Sequence, residues 1–174
     1  HVEAGIRSGD RTMPEEINRL VTDSITDYFF TTTMLANENL RNQGVNKEKI
    51  FFVGNVMIDT LTKFRSKFKK PLFWNKLNLQ PYIYILLTLH RPTNVDDTNK
   101  LKAYLKEILE NSRQLLIIFP VHPRTLKKMN GLQINDKRLF LTQPLSYLEF
   151  NYLTENAKAV ITDSGGITEE TTVL

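Results

Sequence analysis

The feature that most constrains this chain is an alternation. Short apolar runs rich in β-branched and aromatic residues are each followed by a stretch of helical periodicity. The runs fall at 28–32, 50–53, 82–88, 115–121, 138–142 and 159–162. They are nearly continuously apolar, as expected of strands covered on both faces of a parallel sheet. Between them Ile17, Leu20, Val21 and Ile25 recur at helical spacing, as do Leu101, Tyr104, Leu105, Ile108 and Leu109. Strand–helix–strand order predicts right-handed βαβ units and an α/β, Rossmann-like layout.

One stretch breaks the rhythm. Lysines concentrate at 63–76 around Phe64, Phe68, Phe73 and Trp74, with no clear period. A solvated linker is the expectation there. It divides the chain into 1–66, the C-terminal part of a first domain; 67–81, a linker; and 82–174, a second, truncated domain. The chain opens on His1, inside a motif, and stops at Leu174, a few residues into an expected helix. It therefore reads as an interior piece of a longer protein.

Composition excludes several classes. With no cysteine there is no disulfide framework and no thiolate zinc site, which fits a reducing cytoplasm. No apolar run approaches the ~20 residues that cross a bilayer, and no signal-peptide pattern opens the chain. A cytoplasmic chain without membrane or nucleic-acid partners is expected. A nucleic-acid role would rest only on the net charge of +4.

Ligands of open parallel sheets collect beyond the carboxyl ends of the strands. The residues there are polar, charged or glycine. In Asp163-Ser164-Gly165-Gly166-Ile167-Thr168-Glu169-Glu170, a strand runs into paired glycines that open a helix. Ser164, Gly165 and Gly166 there suit a phosphate, and Glu170 suits ribose hydroxyls. Plain helix capping by Ser164 or Asp163 explains the same residues equally well. His90 and Arg91 leave one strand together, and His122 leaves the next in Pro120-Val121-His122-Pro123-Arg124. Such groups donate to a diphosphate, and a histidine can protonate a departing phosphate. A strand-end histidine bonded to its own loop is the alternative. Glu3 stands beside a glycine turn, and Glu15 and Glu16 follow Pro14 in a first helical turn. They offer either carboxylates that move a proton, or an ion pair with Arg7 and helix-dipole complements. No metal-spaced acidic cluster, Walker loop or dinucleotide fingerprint is present, so neither metal nor cofactor is expected. Asp96-Asp97 reads as a helix cap.

Taken together, HVEAGIRSGD, MPEEINR, GNVMIDTL, TLHRP, PVHPRT and TDSGGITEE resemble the non-hydrolysing UDP-N-acetylglucosamine 2-epimerases, in order and over almost the whole chain. The resemblance implies two Rossmann-like domains of GT-B type with parallel sheets, both incomplete here, and a homodimer at full length. It implies interconversion of UDP-GlcNAc and UDP-ManNAc through 2-acetamidoglucal, for surface polysaccharide precursors. Glu3, Glu15 and His90 then match catalytic positions. Arg7, His122, Phe150, Ser164, Gly165, Gly166 and Glu170 match substrate-binding ones, Phe150 near uracil. Thr93 and Thr168 depart from the family's usual acidic residue and glutamine. The hydrolysing 2-epimerases, GT-B glycosyltransferases and an inactive UDP-sugar-binding fragment are the competing readings.

Overall fold

A computed structural model describes residues 1–132 and 134–174. The chain forms two compact units, His1–Thr60 and Leu61–Leu174.

In the first unit the order is α1 (Pro14–Ser24), β1 (Phe29–Thr31), α2 (Met34–Asn42), β2 (Ile50–Phe52) and the start of α3 (Val56–Phe64). Strands β1 and β2 pair in parallel, Phe29 with Ile50 through Thr31 with Phe52. Val2 extends the sheet by a parallel bridge to Phe30. Ala4 donates to the Phe30 carbonyl at 3.1 Å, and Phe30 to that of His1 at 2.9 Å. A small core of Ala4, Phe29 and Leu40 forms, flanked by Val45 and Ile50. Gly5 takes φ of 75° and lies against α2. A Cβ there would run into the Ala36 carbonyl oxygen and stand 2.8 Å from Leu40 Cγ, so only glycine fits.

Helix α1 departs from its apolar periodicity. Ile17 and Val21 are exposed, as is Ile25 just beyond the helix, while the buried residues are Glu16 and Asp23. Asp23 accepts from His1 Nδ1 at 2.5 Å, the Gly5 amide at 3.2 Å and the Arg7 guanidinium at 2.5 Å. Carboxylates, not the apolar stripe, tie α1 to the segment 1–9. On the two-stranded sheet Phe30 and Phe51 stack at 5.6 Å and remain partly exposed.

The second unit continues through α4 (Phe73–Lys76), β3 (Tyr84–Thr88), α5 (Pro92–Val95), α6 (Thr98–Asn111), β4 (Leu116–Pro120), α7 (Pro123–Met129), β5 (Leu139–Thr142), α8 (Tyr147–Asn156), β6 (Ala159–Thr162) and α9 (Gly165–Glu170). Its four strands are all parallel, in the order β5-β4-β3-β6. The continuous apolar runs are explained by burial on both faces. Ile85, Leu87, Ile117 and Phe119 face one cluster with Leu101, Leu105 and Leu109 of α6. Tyr84, Leu86 and Ile118 face the other with Trp74, Leu79 and Leu153. Asp97 caps α6 by accepting from the Asn99 and Lys100 amides, as its sequence position suggests.

Residues 67–81, read from sequence as a linker, carry structure of their own. Trp74 is 5 % exposed and meets Tyr84 and Tyr152 edge-on at 5.8 and 5.1 Å. The Tyr84 hydroxyl donates to the Leu153 carbonyl at 2.6 Å. Lysines hide this element because their heads stay in water while one aromatic goes under the sheet.

Helix α8 opens with a capping box, Ser146 and Glu149 each bonding to the other's backbone. Ser146→Ala is expected to lower stability by about 1 kcal/mol, read as a lower urea midpoint with unchanged slope.

Candidate functional site

The succession of strands reverses at β3: β4 and β5 lie on one side of it, and β6 on the other. Such a reversal leaves a crevice beyond the carboxyl ends of the strands, where open α/β sheets bind ligands. Two motifs meet there. The side chains of Thr88 and Thr162, ending β3 and β6, share a 2.7 Å hydrogen bond. The Asp163 carboxylate accepts from the amides of His90 and Arg91 and from Asn94 Nδ2, at 2.9 to 3.1 Å. His90 Nδ1 lies 2.7 Å from Asp163 Oδ1, with the ring more than half exposed.

Ser164, not Asp163, caps α9, its hydroxyl accepting from the Ile167 amide at 3.4 Å. A Cβ built on Gly165 would meet no atom within 4 Å, so packing does not demand glycine there. Glu170 accepts from the Tyr147 hydroxyl at 3.0 Å. Burial first, then the hydrogen bond to Glu170 and its charge, push the Tyr147 phenol up to about 12. Phe150 is half-buried, packed against the second core cluster. The Thr168 hydroxyl bonds to the Ser164 carbonyl at 2.9 Å, keeping it within α9.

His122 leaves β4 on the same sheet edge but is engaged locally. Its Nδ1 accepts from the Arg124 amide at 3.3 Å and caps α7. Arg124 and Lys128 clamp Asp96 at 3.1 and 2.6 Å. Among the described residues, no hydrogen bond joins His122 to the group around His90.

The first unit carries Glu3, Arg7 and Glu15. Glu3 is half-buried with φ of 63°, a left-handed backbone uncommon outside glycine. The ion pair of Glu3 with Arg7 considered from sequence does not form. Arg7 turns instead to Asp23 and to Gln43 Oε1 at 2.7 Å, because Asp23 is the carboxylate buried beside it. The neighbouring glutamates divide. Glu15 is exposed on the first turn of α1. Glu16, 2 % exposed, accepts from the Ser8 amide and hydroxyl and the Gly9 amide at 2.8 to 3.2 Å.

The Ser8 amide is the main influence on the Glu16 carboxyl. Burial opposes it, and the Gly9 amide, the Ser8 hydroxyl and Arg7 assist it, so the group lies below its ordinary 4.5. The folded state thus binds this proton less well than the unfolded one. The stability it contributes is complete above about pH 4.5 and is lost as pH falls through the lower folded value. Glu16→Gln is expected to remove that part of the acid dependence, read by circular dichroism during acid titration.

Two residues of the crevice were missed as site members from sequence. Asp163 stands in the strand-end motif with no role beyond a possible cap, and Tyr147 is not among the expected site residues. A carboxylate next to a cap-forming serine was the available signal for the first; the second had none.

A family model described as UDP-N-acetylglucosamine 2-epimerase matches residues 1–174. The chain belongs to that family. Among its relatives is the UDP-N-acetylglucosamine 2-epimerase of Methanocaldococcus jannaschii, 42% identical over 185 residues, covering 100% of this chain and 50% of the relative. Another is the UDP-2,3-diacetamido-2,3-dideoxy-D-glucuronate 2-epimerase of Pseudomonas aeruginosa, 36% identical, with 98% and 48% covered. The crystal structure of the M. jannaschii UDP-GlcNAc 2-epimerase in complex with UDP-GlcNAc and UDP superimposes with a TM-score of 0.81 at 41% identity, covering 98% of this chain and 49% of that one. The chain spans about half the length of the curated relatives it matches. As expected for a UDP-N-acetylglucosamine 2-epimerase family member, the class is α/β with parallel sheets. Two different sugar nucleotides stand in the relatives' names, so membership of the 2-epimerase family leaves the sugar open. No helix among the described residues is long and apolar enough to cross a membrane.

Proposed function

We propose that the full protein of which this chain spans a part interconverts UDP-GlcNAc and UDP-ManNAc. The observation that carries this is the crevice at the strand reversal. It presents the His90 ring and the Ser164-Gly165-Gly166 turn together, in a chain similar to an enzyme solved with UDP-GlcNAc and UDP.

The chemistry asks for a base near C2 and for donors at the departing diphosphate. Glu3 or Glu15 takes the C2 proton, the C1–O bond breaks, and a C1=C2 double bond forms. His90 gives a proton to the leaving UDP oxygen. The 2-acetamidoglucal is reprotonated at C2 from the other face, and UDP adds back at C1. The amides of Ser164, Gly165 and Gly166 hold phosphate. Glu170, steadied by Tyr147, holds the ribose. Phe150 lies near uracil, and Arg7 and His122 complete the substrate contacts. The full protein works as a cytoplasmic homodimer supplying a surface-polysaccharide precursor.

Proton NMR of the full-length protein with UDP-GlcNAc in D₂O tests this. Deuterium at C2 with UDP-ManNAc accumulating is the expected result. Free ManNAc with UDP would move the protein to the hydrolysing enzymes. Saturable UDP binding without exchange would leave a transferase or a binding module.

A further inference from the structure

Asp163 has more partners than a loop cap needs. Its side chain is 8 % exposed. The groups that donate to it belong to the segment that follows β3, namely the amides of His90 and Arg91 and Asn94 Nδ2, and His90 Nδ1 of the same segment stands beside it at 2.7 Å as an ion pair. Its own amide donates to the Thr88 carbonyl at 3.4 Å. Ser164 performs the capping of α9, so Asp163 is free of that duty.

We propose that Asp163 is a positioning residue for His90, holding the ring with Nδ1–H toward the carboxylate so that Nε2 is the atom that exchanges a proton with the UDP leaving group. This rests on the function proposed above. A neutral imidazole has two tautomers, and a carboxylate oxygen 2.7 Å from Nδ1 repels a lone pair there and favours the tautomer that carries its proton on that nitrogen. The two backbone amides hold the carboxylate in place, so it can orient the ring. Leaving-group protonation then breaks Nε2–H and forms O–H on the β-phosphate. The ring ends neutral with its proton on Nδ1, and re-addition of UDP reverses the step. The carboxylate stays ionised throughout. Burial pushes the Asp163 carboxyl up, but Asn94, the Arg91 and His90 amides and the His90 charge more than offset it, leaving it below the ordinary carboxylate value.

The test uses full-length protein with ¹⁵N-labelled histidine. Long-range ¹H–¹⁵N spectra of the wild type should show neutral His90 protonated on Nδ1. A ring protonated on Nε2 overturns the proposal without any variant being made. In Asp163→Asn, which keeps an oxygen acceptor for the amides, the tautomer preference should be lost. There kcat should fall at least about tenfold, less than the ~10²–10⁴-fold contribution of the proton-transfer group itself, with KM nearly unchanged. In a His90→Gln background, Asp163→Asn should cost nothing further in rate; effects that multiply would mean Asp163 acts independently of the ring and would overturn the proposal. The tautomer measurement needs no turnover. Absence of C2 exchange in the wild type would therefore remove the reaction, whereas an Nε2–H ring would remove the positioning role whatever the activity.

Discussion

Glu3→Gln and Glu15→Gln, each made in the full-length protein, are expected to reduce deuterium incorporation at C2 at least about 10²-fold, with UDP affinity retained. Glutamine keeps the size and hydrogen-bonding reach of glutamate but cannot take a proton. The surroundings of the two residues make this a clean comparison. Glu15 is exposed on the first turn of α1, and Glu3 is half-buried in a turn, so neither substitution opens a cavity in the core. Glu16, adjacent to Glu15, is the internal control: its carboxylate is occupied by Ser8 and Gly9, and its loss should appear in acid stability. Near wild-type exchange in both variants would remove the proton-transfer roles and leave these carboxylates as substrate contacts or dipole complements.

Trp74→Ala is expected to cost about 3–5 kcal/mol of stability, the range for deleting a buried aromatic. Chemical denaturation of the full-length protein would read it as a large drop in midpoint. The indole sits in the cluster with Tyr84, Leu86, Ile118 and Leu153, and Lys70 Nζ lies 5.7 Å from its centroid. Removing it strips both edge-on tyrosine contacts and leaves a void beneath β3. A true linker would tolerate the change at a few tenths of a kcal/mol. The experiment therefore separates a tether from a segment that closes one face of the sheet.

Strand positions were legible to within one or two residues, because strands buried on both faces leave an apolar run that needs no partner to be recognised. Helix α6 was legible for a related reason, with Leu101, Leu105 and Leu109 all inside. Helix α1 was legible in position, from Pro14 and its periodicity, but not in its buried residues Glu16 and Asp23, whose partners lie outside the helix. The same limit hid the working parts of the crevice. Glu15 and Glu16 look alike in sequence; only the fold of Ser8 and Gly9 onto Glu16 distinguishes them. Asp163 and His90 are 73 positions apart, and nothing local to either residue announces the other. Residue types marked the crevice, and their pairing came from the sheet order.

Among the described strands of its sheet β6 is the last in sequence, yet it pairs with β3, the first. During synthesis β3, β4 and β5 can already associate, while the segment after β3 waits for Asp163. Closing so long a loop is slow relative to local pairing. Until it closes, β3 keeps an unpaired edge, the kind of edge through which nascent chains stick to one another. The strand that completes the crevice is also the one that covers this edge of β3, so a nascent chain acquires its candidate site as β3 passes into the interior of the sheet.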